Sequence, residues 1–360
     1  MTNIKKLGLS ALAGSLVAVS AQAGEMSVTG SANVTYVTGK DDATGKAIGT
    51  DKDVAFTGTG ELDNGWTFTV STLLTDGYSV SSSYTSMTMG SLGTVSFGTD
   101  TGGANYKYDE EVPQAYEQMS DAQQTTANRV GTIHDSNMIV YNSPSFDLGG
   151  VTASFDLEYS PNVAASGTGE STNDGGSVSV NEDMGGATGA GVTLSYDALK
   201  FGIYGAEIER TAEGNTEISD AFEGAWYVNY SFGPVSIGYT ESYMDGGANG
   251  TAEAVTGAKD AATGNTRTAN GFFEGEQMSI AFNVNENFSV SYTESEETYD
   301  AQDDAATAVA DVVMKTDGIQ AAYSMGAMSI KAYKIDVTNP AFDEDADDKT
   351  ATEIALGLAF

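Results

Sequence analysis

The sequence predicts an all-β chain that closes into a sixteen-stranded antiparallel barrel spanning a membrane. Three observations lead to this prediction. Hydropathy alternates with a period of two residues along much of the chain, the connections between alternating segments are short and long in turn, and the final strand 354–360 ends on Phe360. Successive side chains of a strand point to opposite faces, so each such segment separates an apolar face from a polar or small one.

The first 23 residues are predicted to be a cleaved signal peptide. Lys5 and Lys6 precede an apolar stretch that ends near residue 20, and residues 21–23 have the small-x-small pattern of a signal peptidase site. The apolar stretch is shorter than the roughly 20 residues that a membrane-spanning helix needs. Residues 24–360 are therefore expected to form a single barrel domain.

Alternation is clearest in 26–36, where every even position is apolar or small and every odd position is polar. The predicted strands are 26–36, 54–62, 66–71, 80–89, 93–99, 137–145, 150–159, 189–197, 199–208, 221–231, 234–244, 273–284, 287–298, 314–324, 327–337 and 350–360. Tight turns are predicted at 63–65, 91–93, 147–149, 197–198, 233–234, 285–286 and 326–327. Short turns on one rim and long loops on the other predict a periplasmic and an extracellular end.

Composition excludes several classes of function. The formal net charge of −36 argues against a nucleic-acid partner, because phosphate binding needs lysine and arginine. The chain has no cysteine, so a disulfide framework and a thiolate metal site are both impossible. His134 is the single histidine, which argues against most zinc sites and Ser-His catalysis. We therefore expect that the protein is not an enzyme.

A secreted β-sandwich or a soluble Ca²⁺-binding β-roll also fits an acidic, glycine-rich, cysteine-free chain. A roll should repeat the G-G-x-G-x-D nonapeptide, which this sequence lacks. A sandwich does not explain why aromatic residues such as Trp226, Tyr230 and Phe288 fall on the apolar face near strand ends. Interfacial belts of membrane barrels place aromatic residues there, so the membrane barrel is the favoured interpretation.

Residues 137–146, followed by 147–151, resemble the strand-to-turn segment of Gram-negative general diffusion porins, in which Tyr-x-Ser-Pro leads to a tight turn. The closing strand with its terminal Phe360 also resembles that family. The resemblance implies a passive outer-membrane channel for small hydrophilic solutes and ions, usually a homotrimer, whose third long loop narrows the lumen. Here that loop, which we call the constriction loop, is 100–136. We expect contacts with outer-membrane lipid and lipopolysaccharide, recognition of the Phe360 strand by the barrel-assembly machinery, and no required cofactor.

The resemblance also implies a set of pore residues. The loop residues expected to form the acidic side of the constriction are Tyr106, Asp109, Glu110, Glu111, Glu117 and Asp121. Family members usually carry arginines on the opposite wall, whereas strands two to four here offer threonine and serine. The expected counter-charges are Lys200 and Lys331 of the wall, with Arg129 and Lys107 of the loop. The carboxylates whose position in the alternation predicts a lumen orientation are Glu61, Asp156, Glu158, Glu223 and Glu353. Excess carboxylate attracts cations, so cation preference is expected.

A substrate-specific channel is the main functional alternative, in which Tyr106, Tyr108 and Tyr116 stack on a sugar or another nutrient. In either case we expect a water-filled lumen without a packed core, because the strands satisfy each other's backbone groups.

Glu241, Glu294 and Glu296 share the lipid-facing side of their strands. Hard cations prefer oxygen ligands, so Ca²⁺ or Mg²⁺ could bridge these carboxylates to lipopolysaccharide phosphates. A β-bulge that reverses the face, or simple solvation of the strand ends, explains the same pattern.

Overall fold

The computed structural model describes residues 24–40, 47–75, 79–99, 103–109, 111–119, 122, 130, 138–161, 184–210, 220–245, 258–259, 266–267, 271–301 and 311–360. The predicted signal peptide, residues 1–23, lies outside this part of the chain. Within it, no helix is long and apolar enough to cross a bilayer.

Strands make up most of the described chain. They are β1 (Met26–Lys40), β2 (Ala47–Glu61), β3 (Thr67–Leu74), β4 (Val80–Thr88), β5 (Thr94–Thr99), β6 (Met138–Asn142), β7 (Phe146–Asp147), β8 (Thr152–Ser160), β9 (Met184–Tyr196), β10 (Leu199–Arg210), β11 (Ala221–Phe232), β12 (Val235–Asp245), β13 (Ala258–Lys259), β14 (Thr266–Arg267), β15 (Gly271–Asn285), β16 (Phe288–Ala301), β17 (Val312–Met325), β18 (Met328–Thr338) and β19 (Lys349–Ala359). Short 3-10 turns cover Gly90–Leu92, Ala104–Lys107 and Pro340–Phe342.

The sheet closes on itself. β1 pairs antiparallel with β2 on one side and with β19 on the other, and each remaining wall strand pairs with its neighbours in sequence. β7 is a two-residue addition beside β8, and β13 pairs with β14 in a separate hairpin. The wall therefore has sixteen antiparallel strands, which confirms the predicted barrel and excludes the sandwich and the roll.

The chain end completes the seam between the first and last strands. The Phe360 amide donates to the Gly30 carbonyl at 2.9 Å, and the Gly30 amide donates to the Phe360 carbonyl at 2.8 Å. The Phe360 ring lies where a Cβ on Gly30 would be, so glycine at this position gives the terminal ring its place.

The turns follow the predicted alternation of short and long connections. Gly65 has φ of 80° in the turn after β2, a conformation that glycine adopts without steric cost. The resemblance segment also forms its turn, because the Leu148 amide donates to the Val151 carbonyl at 2.8 Å. β2 begins at Ala47, seven residues before the predicted start, because pairing with β1 continues through the charged residues 51–53. Backbone pairing extends strands beyond the point where the apolar face ends.

The two faces exchange character near the loop ends of β15 to β18. Towards the short turns, apolar residues face outward and polar residues face the lumen, as in Ile280 and Ser279. At the loop ends, buried Phe273 and Tyr299 face inward while Glu274 and Glu296 are exposed outside. Apolar residues inside and charged residues outside are typical of a barrel standing in water, so these strand ends project beyond the hydrocarbon.

The inward apolar residues at the loop ends form a packed core, which we call the mouth cluster. Its members are Met119, Ala122, Ala187, Ile208, Ala221, Met244, Phe273, Tyr299, Val312, Met314, Tyr333, Ile335, Val337, Phe342 and Ala351. The expectation of a lumen without a packed core is therefore wrong. Backbone pairing makes a packed core unnecessary within the membrane, but apolar side chains still pack inside the strand ends that project into water.

Candidate functional site

The long loop between β5 and β6 folds into the barrel, and its first described part is bound to β8. The Ala104 amide donates to Glu158 Oε2 at 2.6 Å. Lys107 Nζ lies 2.6 Å from Asp156 Oδ1, and the Tyr108 hydroxyl donates to Asp156 Oδ2 at 2.7 Å. Two inward-facing carboxylates of one strand therefore anchor the beginning of the loop.

The middle of the loop lies against β10, β11 and β15. Lys200 Nζ on β10 is 3.2 Å from Glu111 Oε2, and Asn229 Nδ2 on β11 donates to the Glu111 carbonyl at 2.7 Å. The Ser279 hydroxyl on β15 donates to the Pro113 carbonyl at 2.6 Å. These contacts continue the path of the loop around the inner wall.

The next part of the loop reaches β16, β17 and β19. The Ala115 amide donates to Ser291 Oγ at 2.9 Å, and the Tyr116 amide donates to Gln320 Oε1 at 2.8 Å. The Tyr116 hydroxyl donates to Glu353 Oε1 at 2.6 Å. The predicted inward fold of the third long loop is confirmed, and the described residues line the wall from β8 to β19, which we call the covered wall.

Glycines of the covered wall make room for the loop. A Cβ on Gly191 of β9 would occupy the position of the Tyr108 ring, and a Cβ on Gly238 of β12 would collide with Pro113. A Cβ on Gly318 of β17 would collide with the end of the Met119 side chain. These inward glycines, which the sequence analysis did not single out, therefore let the loop approach the wall closely.

Two of the three loop tyrosines serve packing. Tyr108 is buried, with its ring 5.6 Å from that of Tyr204, and Tyr116 lies 5.9 Å from the Tyr333 ring. Burial and the hydrogen bonds to Asp156 and Glu353 raise the pKa of Tyr108 and of Tyr116, respectively, so both phenols stay protonated donors. Tyr106 is different, because it is 62% exposed.

The predicted lumen carboxylates face inward but differ in their access to water. Asp156, Glu158, Glu223 and Glu353 are each at most 7% exposed, whereas Glu61 near the short turns is exposed. The predicted inward orientation therefore agrees with the structure, but four of the five carboxylates are buried and only Glu61 is open to water. Alternation predicts the face of a strand, but it does not predict which face an irregular loop will cover.

The acidic loop candidates are only partly described. Asp109, Glu111 and Glu117 of the loop are partly buried, and the Glu111 carboxylate binds Lys200. Glu110, Asp121, Arg129 and His134 lie outside the described residues.

The three described lysines among the predicted site residues lie on the same side of the lumen as the loop. Lys107 binds Asp156, Lys200 binds Glu111, and Lys331 Nζ lies 5.1 Å from the centre of the Tyr116 ring. Lys200 therefore pairs with a loop carboxylate as a counter-charge, but Lys200 and Lys331 do not face the loop from across the lumen. They belong to β10 and β18, which are part of the wall that the loop covers.

The contacts given above for the described part of the constriction loop lie on β8 to β19, and we call the inward face of β1 to β5 the open wall. Its middle carries hydroxyl groups, including Thr57 and Ser71, whose oxygens are 3.1 Å apart. Asp51 and Asp53 precede Thr57 on β2 by an even number of residues, so all three point to the same inward face. Pairing of β2 with β1 continues through these positions without a bulge that would change the face. Among the described residues of these five strands, no lysine or arginine occupies an inward-facing position.

Asp51 and Asp53 lie before the predicted strand 54–62, because a charged segment has no apolar face and shows no period-two pattern. The alternation of 54–62, continued towards the N-terminus, places both residues on the inward face. Lys349, at the loop end of β19, is a further inward residue that lies just outside the predicted strand 350–360.

The outer-face carboxylates have donors within the protein. Glu241 accepts hydrogen bonds from Trp226 Nε1 at 2.9 Å and from the Tyr239 hydroxyl at 2.6 Å. Glu294 accepts one from the Tyr292 hydroxyl at 2.8 Å, and Glu296 pairs with a neighbouring lysine. Within the described part of the chain, no group of three or more potential ligands is placed to hold a metal ion.

Comparison with known proteins gives the same architecture. OmpF of Salmonella typhi in complex with daunomycin has 14% identity and a TM-score of 0.67, covering 93% of this chain and 98% of that chain. An anion-selective porin from Comamonas acidovorans has 14% identity and a TM-score of 0.63, covering 93% and 99%. OmpT of Vibrio cholerae in its trimer form has 12% identity and a TM-score of 0.60, covering 94% and 100%.

A search of curated protein sequences finds no match. A family model described as Gram-negative porin, in contrast, matches residues 8–258, which is more than half of the chain. Together with the closed sixteen-stranded barrel and its inward third loop, this match shows that the chain belongs to the Gram-negative porin family and forms a channel in the outer membrane.

Proposed function

We propose that this porin is a passive diffusion channel for small hydrophilic solutes and ions, with a preference for cations. The observation that carries the proposal is the charge of the open wall. Asp51, Asp53 and Glu61 face inward there without an inward-facing base among the described residues, while Lys107 and Lys200 of the covered side are paired with carboxylates. The open wall therefore presents negative charge to permeating ions.

The size of this effect follows from Coulomb's law. A unit charge about 4 Å from an ion interacts with it by about 1 kcal/mol in bulk water, which changes the local ion concentration about fivefold. The anion-selective porin from Comamonas acidovorans has the same fold. The fold therefore does not set the sign of selectivity, and the charges along the path must do so.

Neutralising the open wall is expected to weaken cation preference. In Asp51→Asn/Asp53→Asn, each lost charge lowers the local cation concentration by up to about fivefold. The reversal potential in a planar bilayer under a KCl gradient should move towards the chloride limit. Glu294→Gln, on the outer face, is the matched control and should leave the potential unchanged. Chloride preference of the wild type, or an equal shift in both variants, would reject the proposed selectivity.

A substrate-specific channel is the second candidate, and the exposure of Tyr106 is the observation that favours it. An exposed ring in a pore can stack on a sugar. Saturable block of the ion current by a sugar, lost in Tyr106→Ala, would support this candidate over general diffusion.

We also propose a homotrimer that assembles through the outer face of β1 to β3. Met26, Phe56, Gly58 and Val70 line a depression of about 860 Å³ on this face. The small Gly58 would let a neighbouring subunit approach closely. The trimer form of OmpT supports a trimer for a barrel of this fold.

Gly58→Arg is expected to yield monomers, because a charged side chain cannot enter an apolar subunit interface without a partner. The protein mass of the detergent complex measures the change. Ile319→Arg, on the outer face of β17, carries the same charge away from that interface and should remain trimeric. A monomeric wild type would contradict the proposed assembly.

Three further proposals concern export and surroundings. Removal of residues 1–23 would make Gly24 the mature N-terminus, which intact-mass measurement tests. The barrel-assembly machinery would recognise the last strand through the exposed Phe360.

Ca²⁺ or Mg²⁺ would join Glu241, Glu294 or Glu296 to lipopolysaccharide by replacing the hydrogen-bond donors and the lysine that these carboxylates now contact. Removal of the cation with a chelator should then release bound lipopolysaccharide.

A further inference from the structure

We propose that Phe342, in the loop between β18 and β19, is a positioning residue that keeps the constriction loop on the covered wall and seals the mouth cluster against water. This inference rests on the proposed function, because it confines permeation to the open wall.

Phe342 lies deep in an aromatic group at the loop end of the lumen. Its ring is 5.5 Å from that of Phe273 and 6.0 Å from that of Tyr299, and the latter two rings are 5.3 Å apart. Phe342 is 1% exposed, and both partners belong to inward positions of β15 and β16. A loop residue therefore completes the packing of the wall.

The mouth cluster connects this ring to the constriction loop. Met119 and Ala122 of the constriction loop are buried in the same cluster as Phe342. Tyr333 of the cluster also packs against Tyr116, whose hydroxyl binds β19. Because packed cores lose many contacts when one large side chain is removed, a change at Phe342 should loosen the loop residues as well.

The backbone around Phe342 is held in an unfavourable conformation. Asn339, Ala341 and Phe342 have φ of 52°, 57° and 58°, in the left-handed region that non-glycine residues rarely adopt. Asn339 Nδ2 donates to the Val313 carbonyl at 2.8 Å, which fixes the segment to β17. Such conformations persist where the surroundings determine them, and such sites are often functional. The buried ring, the Asn339 side-chain hydrogen bond and the hydrogen bond from the Phe342 amide to the Asn339 carbonyl at 3.0 Å are restraints of this kind.

Release of Phe342 should therefore have two linked effects. Water should enter the mouth cluster beside β19, and the constriction loop should leave the wall part of the time. The first effect exposes buried positions of the mouth cluster, and the second raises single-channel conductance and current noise. A residue that only contributed to barrel stability would change neither in the folded channel.

The test uses the natural absence of cysteine. Ala351, in the mouth cluster, is replaced by cysteine in the full chain, with and without Phe342→Ala, and labelled with a charged thiol reagent that does not cross membranes. Ala351→Cys alone should label slowly, and adding Phe342→Ala should accelerate labelling and raise conductance. Ser86→Cys on the open wall should label at the same rate in both backgrounds.

Phe342→Leu keeps an apolar side chain and should retain slow labelling, which guards against a Phe342→Ala variant that does not fold. Rapid labelling of Ala351→Cys alone would overturn the seal. Unchanged labelling and conductance in folded Phe342→Ala would overturn the positioning role. Reversal potentials from the same bilayers report the proposed function separately, because a chloride-preferring wild type rejects cation selectivity without altering the labelling rates.

Discussion

Gly191→Val is expected to displace the constriction loop from the covered wall and raise single-channel conductance. The valine Cβ would occupy the position of the Tyr108 ring, which is buried and hydrogen-bonded to Asp156. Overpacking of this kind costs about 1–3 kcal/mol, and moving the loop relieves it. Planar-bilayer recordings measure the conductance, and the difference in gel migration between folded and boiled samples confirms that the barrel has formed.

The matched control is Ala190→Val. Ala190 is the preceding residue of β9, and it is exposed on the opposite face. It introduces the same β-branched side chain into the same strand without touching the loop. Conductance should stay at the wild-type value in Ala190→Val. A folded Gly191→Val channel with wild-type conductance would show that Tyr108 does not hold the loop in place.

Lys107→Met is expected to detach the beginning of the constriction loop through charge. The Lys107 side chain is 50% exposed, but the Asp156 side chain is 4% exposed and would lose its cation. Breaking a fully buried pair costs about 3–5 kcal/mol, and we expect about 2 kcal/mol here because half of the lysine is already in water. Loss of the loop anchor should widen the pore and increase current noise.

Asp156→Asn in the Lys107→Met background removes the stranded charge and should restore quiet channels with nearly wild-type conductance. Asn142 Nδ2 already donates to Asp156, so an amide at position 156 keeps a polar neighbour. The two single variants and the double variant form a cycle that isolates the pair energy. Additive effects, with no recovery in the double variant, would contradict an ion-pair anchor.

Much of the wall was predictable from the sequence, because the membrane imposes a two-residue period on every strand. Turn chemistry supported the same result, since Asn64-Gly65 marks a hairpin whatever the surrounding fold. The prediction from hydropathy alternation fails at the strand ends that lie outside the membrane. The charged start of β2 has no apolar face, and the loop ends of β15 to β18 reverse theirs, so neither matches the pattern expected for lipid contact.

The sequence predicts to which face the site residues point, but it does not predict which of them the constriction loop covers. The alternation of residues along each strand correctly predicts that Asp156 and Glu353 point into the lumen. Both are nevertheless buried under the loop and act as anchors for it. The loop follows no periodic rule, so its path around the wall depends on individual contacts such as Tyr116 with Glu353. The clearest sequence signal for that path is glycine at inward strand positions, as at Gly191 and Gly318, where a loop can approach the backbone.

The central claim is that solutes pass between the constriction loop and the open wall, and cysteine modification tests it most directly. Thr69→Cys places a thiol on the open wall, and Ser291→Cys places one under the loop, where Ser291 is buried. A positively charged thiol reagent should cut the current through Thr69→Cys at once and leave Ser291→Cys unchanged. Block of Ser291→Cys with no effect on Thr69→Cys would place the path on the other side and contradict the account.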